Sequence, residues 1–198
     1  MKYSTDIVVI DLEATCRAEG ENEVQDSNII DIGAVRLDKR TLEVTATFSE
    51  LVRPRDIPVM LFITSITGIT PEMVANCDTF DKVGQRFVEW FGNRNKAVLA
   101  AFGVYYDIPL LRKEFRAFGL DFRFAFVGAA LDIRALAMAW RANNNLTTTG
   151  VTVEGTLEKM GVTLEGTFHR ALADAKAAAA ILQFFHMGKG SVDRLEGS

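Results

Sequence analysis

VVIDLEAT, residues Val8 to Thr15, sets two carboxylates inside an apolar run. A charge taken out of water is costly unless it is paired or holds a metal. Side chains two apart on a strand share a face, so Asp11 and Glu13 project together while Leu12 enters the opposite layer. Two adjacent carboxylates repel unless a cation lies between them, and an oxygen-only donor set suits Mg²⁺ or Mn²⁺. Taken alone, the pair also fits a strand end at which one acid is solvated.

Working outward, DIVVID is the continuous apolar run of a strand buried on both faces. NIIDIGAVRLD and LEVTATFSELV, joined by the polar turn DKRT, form a hairpin pattern. The prolines at 54, 58 and 71 mark a long connection with short helical turns. TFDKVGQRFVEWFG carries apolar residues at helical spacing, with Thr79 as N-cap and Gly92 as stop. AVLAAF predicts a buried strand, and DIPLLRKEFRAFG a helix with Pro109 in its first turn. FAFVGAALDI predicts a further strand leading into the helix IRALAMAWRA. The polar stretch 143–155 predicts a loop, TLEKMG a short helix, and ALADAKAAAAILQFFH a long one. A three-strand meander followed by alternating helices and strands predicts an α/β protein with a mixed sheet covered by helices.

The chain has 198 residues, which fits one domain over 1–187 with a flexible tail at 188–198. Apolar residues make up 48% and charged residues 24%, the balance of an ordinary globular protein, and fourteen Phe are enough to fill its core. MKYSTDIVVI has the pattern of neither a signal peptide nor an anchor, and no apolar run approaches the ~18 residues of a membrane span. Two cysteines, Cys16 and Cys77, form no disulfide framework or zinc site, and imply reduced thiols in the cytoplasm. A net charge of −4 excludes a broad basic face. Contact with nucleic acid would therefore need a local basic edge or bound cations.

Other residues fall near the same edge. Asp107 lies just past AVLAAF at the start of a helix, where it fits an N-cap or a ligand equally. Asp174 shares a helix face with Ala178, Ile181 and Phe185, an odd place for a charge. His169 precedes it by five positions, and His186 stands at the far end of that helix.

The ordered set D-x-E, FGVYYD and HRALADA resembles the DEDD-type 3′–5′ exonucleases, which are related to polymerase proofreading subunits. The His five before the last Asp marks their histidine subclass; the tyrosine subclass has Tyr where this chain has Arg170. VVIDLEATC, IIDIGAVRLD, ITGITPEMV and LEKMGVTLEGTFHRALADAKAAAAI further resemble the branch that trims 3′ ends of structured and small RNAs. The resemblance runs from about residue 6 to residue 186. The sequence departs from that branch at Ala101, Phe102, Gly103, Val104 and Tyr105, where the branch has Ser-Trp-Gly before its Tyr-Asp.

The resemblance implies an RNase H-like mixed five-stranded sheet and an exonuclease domain over 1–187. It implies that Asp11, Glu13, Asp107 and Asp174 hold two Mg²⁺ or Mn²⁺ ions, with His169 as general base. It also implies that Ala14, Thr15, Ile66, Phe102 and His169 meet the terminal nucleotide, Ile66 and Phe102 by sandwiching its base. The partner would be the 3′ end of single-stranded nucleic acid, RNA ahead of DNA, cleaved to nucleoside 5′-monophosphates. Arg112, Lys113 and Arg116 follow Asp107 and could meet the backbone; they also fit a solvated helix face. Alternatives are an oligoribonuclease or proofreading-type enzyme, or a non-catalytic RNA-binding module on a nuclease fold.

Overall fold

The central strand runs from Asp6 to Ala14 (β1) and buries apolar side chains on both faces. The computed structural model describes residues 3–16, 24–126, 128–163 and 170–187. β1 is followed by Ile29–Leu37 (β2), Val44–Leu51 (β3), Leu61–Thr67 (α1), Pro71–Ala75 (α2), Phe80–Phe91 (α3) and Ala97–Ala101 (β4). Then come Asp107–Ala117 (α4), Phe122–Ala125 (α5), Leu131–Asp132 (β5), Ile133–Asn143 (α6), Val153–Met160 (α7) and Ala171–Met187 (α8). The sheet order is β3-β2-β1-β4-β5, antiparallel through β3, β2 and β1 and parallel through β1, β4 and β5. It is the mixed sheet expected from the meander and the alternating elements, with the five strands that the resemblance implies.

Strand alternation assigns the two layers. Val8, Ile10 and Leu12 pack against Phe80, Phe87, Phe91, Phe115 and Phe126 from α3, α4 and the segment after α5. These rings meet edge-on, Phe91 and Phe126 with centroids 4.8 Å apart. Ile7 and Val9 face the other way, onto α7 and the alanines of α8. Asp11 and Glu13 continue this second row, so the sequence sends both carboxylates towards α8.

Small residues bring α8 close. Gly33 lies opposite Asp11 in the β1–β2 register. A Cβ on Gly33 would sit 2.0 Å from the Ala171 carbonyl carbon and 2.1 Å from the Leu172 nitrogen. The first turn of α8 thus rests on bare β2 backbone, and Asp174 is held in that same turn.

Two expected boundaries move. FAFVGAALDI is a strand only at Leu131–Asp132, and Phe122–Ala125 are helical. The Asp121 carboxylate accepts the Phe124 amide at 3.0 Å and starts that turn, which lets Phe126 enter the aromatic layer. The loop expected over 143–155 spans only 144–152, because Asn143 ends α6 and Thr152 caps α7 through the Gly155 amide at 3.1 Å. Thr79 stands at the N-cap of α3, but its hydroxyl donates to Asp81 instead of capping. Among the described residues no helix is long and apolar enough to cross a membrane. The stretch 188–198, expected as a tail, lies outside the described residues.

Gly33→Ala places a methyl group against main chain that has no side-chain freedom to yield. Overpacking costs ~1–3 kcal/mol, and for a chain of this size that lowers Tm by roughly 3–10 °C. Thermal unfolding by circular dichroism checks this; an unchanged Tm would mean that α8 does not lie on β2.

Candidate active site

β1 pairs with β2 along its length but with β4 only from Asp6 to Val9. Past Val9 its β4-facing edge is free, because β4 ends at Ala101 and the chain turns into α4. Asp107, first residue of α4, fills part of that gap: its carboxylate accepts the Leu12 amide and its own. Asp107 is therefore bound to the back of the strand that carries Asp11 and Glu13, and is not the N-cap of its helix. Ligands of open α/β sheets gather at such strand ends, where neighbouring strands diverge.

From the other side α8 supplies Asp174. Asp11, Glu13 and Asp174 each offer a carboxylate oxygen within 4.8 Å of the others. Asp107 joins them electrostatically and is, after burial, the largest influence raising Asp11. The four acids expected from the sequence meet at one place, drawn from β1, α4 and α8. His169 lies outside the described residues.

Crowding and desolvation act together on these groups. Burial pushes Asp11 well above the usual carboxylate range, with Asp107, Glu13 and Asp174 adding repulsion. Glu13 is pushed up to about 7 by burial first and then by Asp174, Asp31 and Asp107, against a lowering by Arg170. Asp107 is also pushed up to about 7 by burial, with the Leu12 amide opposing. Carboxylates this hard to ionise in each other's company are the donor set that divalent cations relieve, and all the ligands are oxygen, as Mg²⁺ and Mn²⁺ prefer.

A fifth acid completes the cluster. Asp31 of β2 lies opposite Glu13 and is 1% exposed. Its Oδ2 accepts Arg170 Nε at 3.0 Å. Burial pushes Asp31 up, and Arg170 pulls it down by hydrogen bond and charge. Sequence reasoning passed over both residues. Asp31 stands alone in the apolar run IIDIGAV, the same signal that singled out Asp11, and Arg170 was noted only for not being tyrosine.

The residues expected at the terminal nucleotide are placed unequally. Ala14 sits where the β1–β2 register shifts, an irregularity common beside active sites. Thr15 is buried, and its Oγ1 accepts the Asn28 amide at 2.8 Å, which commits the hydroxyl to the fold. Asn28 then accepts the amides of Asp56 and Ile57 at 3.0 and 2.9 Å and so ties the end of β1 to the proline-rich connection. Ile66 on α1 is 41% exposed, too open for a core residue. Phe102, just past β4, is half-buried and packed beside α8 residues. Tyr105 is 65% exposed and accepts a hydrogen bond from Arg134.

Residues 8–182 match the sequence profile of a family described as Exonuclease. The chain belongs to this exonuclease family. Its structure superposes on the nuclease domain of 3′hExo, a DEDDh family member bound to rAMP, with a TM-score of 0.80 and 27% identity. That match covers 97% of this chain and 96% of the other, and the shared architecture is the RNase H-like sheet flanked by helices. The 3′-5′ exoribonuclease 1 of Homo sapiens is 40% identical over 90 residues, covering 44% of this chain and 25% of the relative. The DNA polymerase III PolC-type of Caldanaerobacter subterraneus subsp. tengcongensis is 30% identical over 176 residues, covering 89% of this chain and 11% of the polymerase. The exonuclease chain thus spans a quarter or less of these two curated relatives.

The raised carboxylates fix the direction of a pH effect. Folded-state values above the ordinary 3.8 to 4.5 mean that folding favours the protonated acids. In metal-free protein this contribution is present at low pH, is lost as pH rises from about 4 to about 7, and leaves a full penalty above. Asp11→Asn removes one repelling charge, so at pH 8 in EDTA the variant is expected to melt roughly 4–8 °C above the native protein. At pH 4 the difference should shrink towards zero. Equal Tm differences at both pH values would show that the cluster carries no repulsion.

Proposed function

We propose that this chain is a divalent-metal-dependent 3′–5′ exonuclease that hydrolyses phosphodiester bonds at single-stranded 3′ ends and releases nucleoside 5′-monophosphates. The observation that carries this is the meeting of Asp11, Glu13 and Asp174, with Asp107 beside them, at the open end of β1. Family membership supports it independently. The rAMP held by the related nuclease domain supports a monophosphate product and favours RNA over DNA. Cys16 and Cys77, neither of them in a disulfide, support a reducing, cytoplasmic setting.

Asp11, Glu13, Asp107 and Asp174 would hold two Mg²⁺ or Mn²⁺ ions. Bound there, the ions supply Lewis-acid polarisation of the scissile phosphate and of the attacking water, and offset the charge of the four acids. Asp11 and Glu13 orient the group from a rigid central strand, Asp107 from a helix start, and Asp174 from a helix pinned on Gly33. Arg170, drawn down onto Asp31, fixes the chain one residue after His169. His169 is assigned as general base, since a free imidazole titrates near ~6.5 and is neutral at physiological pH. Ala14 would approach the terminal nucleotide through its backbone. Ile66 and Phe102 would sandwich its base without reading it, since stacking tolerates any base. The Thr15 hydroxyl and backbone amide are both engaged with Asn28.

A 3′-protected and a 5′-labelled oligonucleotide, each made as RNA and as DNA, are incubated with the protein and Mn²⁺. The expected product is a ladder shortening from the free 3′ end, faster for RNA and absent for Asp11→Asn. His169→Ala should bind Mn²⁺ by calorimetry as the native protein does while losing ~10²–10⁴-fold in kcat. Near-native turnover of His169→Ala would remove that role. Oligonucleotide binding with no cleavage by the native protein would favour the non-catalytic module.

A further inference from the structure

α4 begins in the acid cluster with Asp107 and runs away from it. Beside the helix lies a cavity of about 950 Å³. It is lined by Val104 and Ile108, by Arg112 and Arg116 on successive turns of the helix, and by Phe122 and Arg123. Ile108, Arg112 and Arg116 are spaced four apart, so one helix face supplies the apolar floor at the site and two guanidiniums beyond it. The three arginines are exposed, and the Arg112 guanidinium lies 5.0 Å above the Phe122 ring.

Neighbouring charges in the lining are already committed. Lys113 Nζ donates to the Ser27 carbonyl and lies 3.7 Å from the buried Glu114 carboxylate, so it serves the fold and not the groove. Asp121 accepts the Phe124 amide as the cap of α5. A chain of net charge −4 therefore concentrates three guanidiniums along one open groove beside the helix that begins at Asp107. Arginine forks match phosphate oxygens in pairs, and an aromatic face below holds the guanidinium plane.

We propose that this groove holds the backbone phosphates of the same strand whose 3′ end enters the acid cluster. The proposal rests on the exonuclease function above. Nine residues separate Asp107 from Arg116, or ~14 Å at 1.5 Å per residue. A stacked strand advances ~3.4 Å per nucleotide, so the groove covers about four nucleotides upstream of the terminal one. A dinucleotide, whose single phosphodiester is the scissile one, does not reach it.

The full chain and the variants Arg112→Gln/Arg116→Gln and Arg123→Gln are compared on a fluorescein-labelled RNA decamer and on a dinucleotide, with Tm confirming that each variant folds. Decamer binding is followed by anisotropy in EDTA, and turnover with Mn²⁺. The double variant is expected to bind the decamer ~5–20-fold more weakly at low salt. The slope of log Kd against log salt should fall by ~1.4, at ~0.7 per lost phosphate contact on a single strand. Arg123→Gln should show about half of that slope change. Decamer KM should rise in step, while kcat and dinucleotide cleavage stay at the native level. Unchanged decamer affinity and slope, or equal losses on decamer and dinucleotide, would overturn the groove. Absence of cleavage by the native chain, with decamer binding still dependent on the arginines, would count against the exonuclease function and leave the groove standing.

Discussion

Mutual repulsion among buried carboxylates is the constraint around which this molecule is arranged. Asp31, Asp107 and Asp174 raise the cost of ionising both Asp11 and Glu13, and Glu13 raises that of Asp11. Left to themselves such groups would separate or take up protons. The fold denies them the first option. Asp11 and Glu13 lie on the central strand, Asp107 is fastened to the Leu12 amide, and Asp174 rides on a helix whose first turn touches bare backbone at Gly33. Sites that must bind a strongly charged group are commonly kept this way, at some cost to the stability of the free protein.

One counter-charge is built in. Arg170 enters the cluster from the side, pairs with Asp31 and lowers Glu13. It offsets the acid that has no place among the four expected as ligands. It also ties the start of α8 to β2 by a second contact beside the Gly33 packing. The same short segment thus sets both the height of the helix above the sheet and the charge balance beneath it.

Much of this was legible in the sequence wherever one local pattern decided the outcome. The doubly apolar DIVVID gave a central strand, the i, i+2 spacing put Asp11 and Glu13 on one face, and the alanines of α8 marked a helix that lies close to a sheet. What escaped depended on partners far along the chain. Asp31 and Arg170 are 139 positions apart, so neither announces the other. Thr15 looked available for a substrate because its partner, Asn28, enters only when the β1–β2 end is assembled. Lys113 looked like its arginine neighbours until Ser27 closed on it. At Phe124 and Ala125 the start of an apolar run suited a strand, and a single capping aspartate, Asp121, was enough to wind it into a helix.

The polarity of α4 joins the acid cluster to the groove. A helix carries partial positive charge at its N-terminus and partial negative charge at its C-terminus. Asp107 occupies the first turn and Arg116 the last, each at the end that favours its charge. Reversing the helix would set the arginines against the carboxylates and undo both. The direction of the helix therefore separates the carboxylates from the arginines by about the length of the groove. With the 3′ end at the acid cluster, as proposed, the upstream portion of a strand held in the groove would lie towards Arg116.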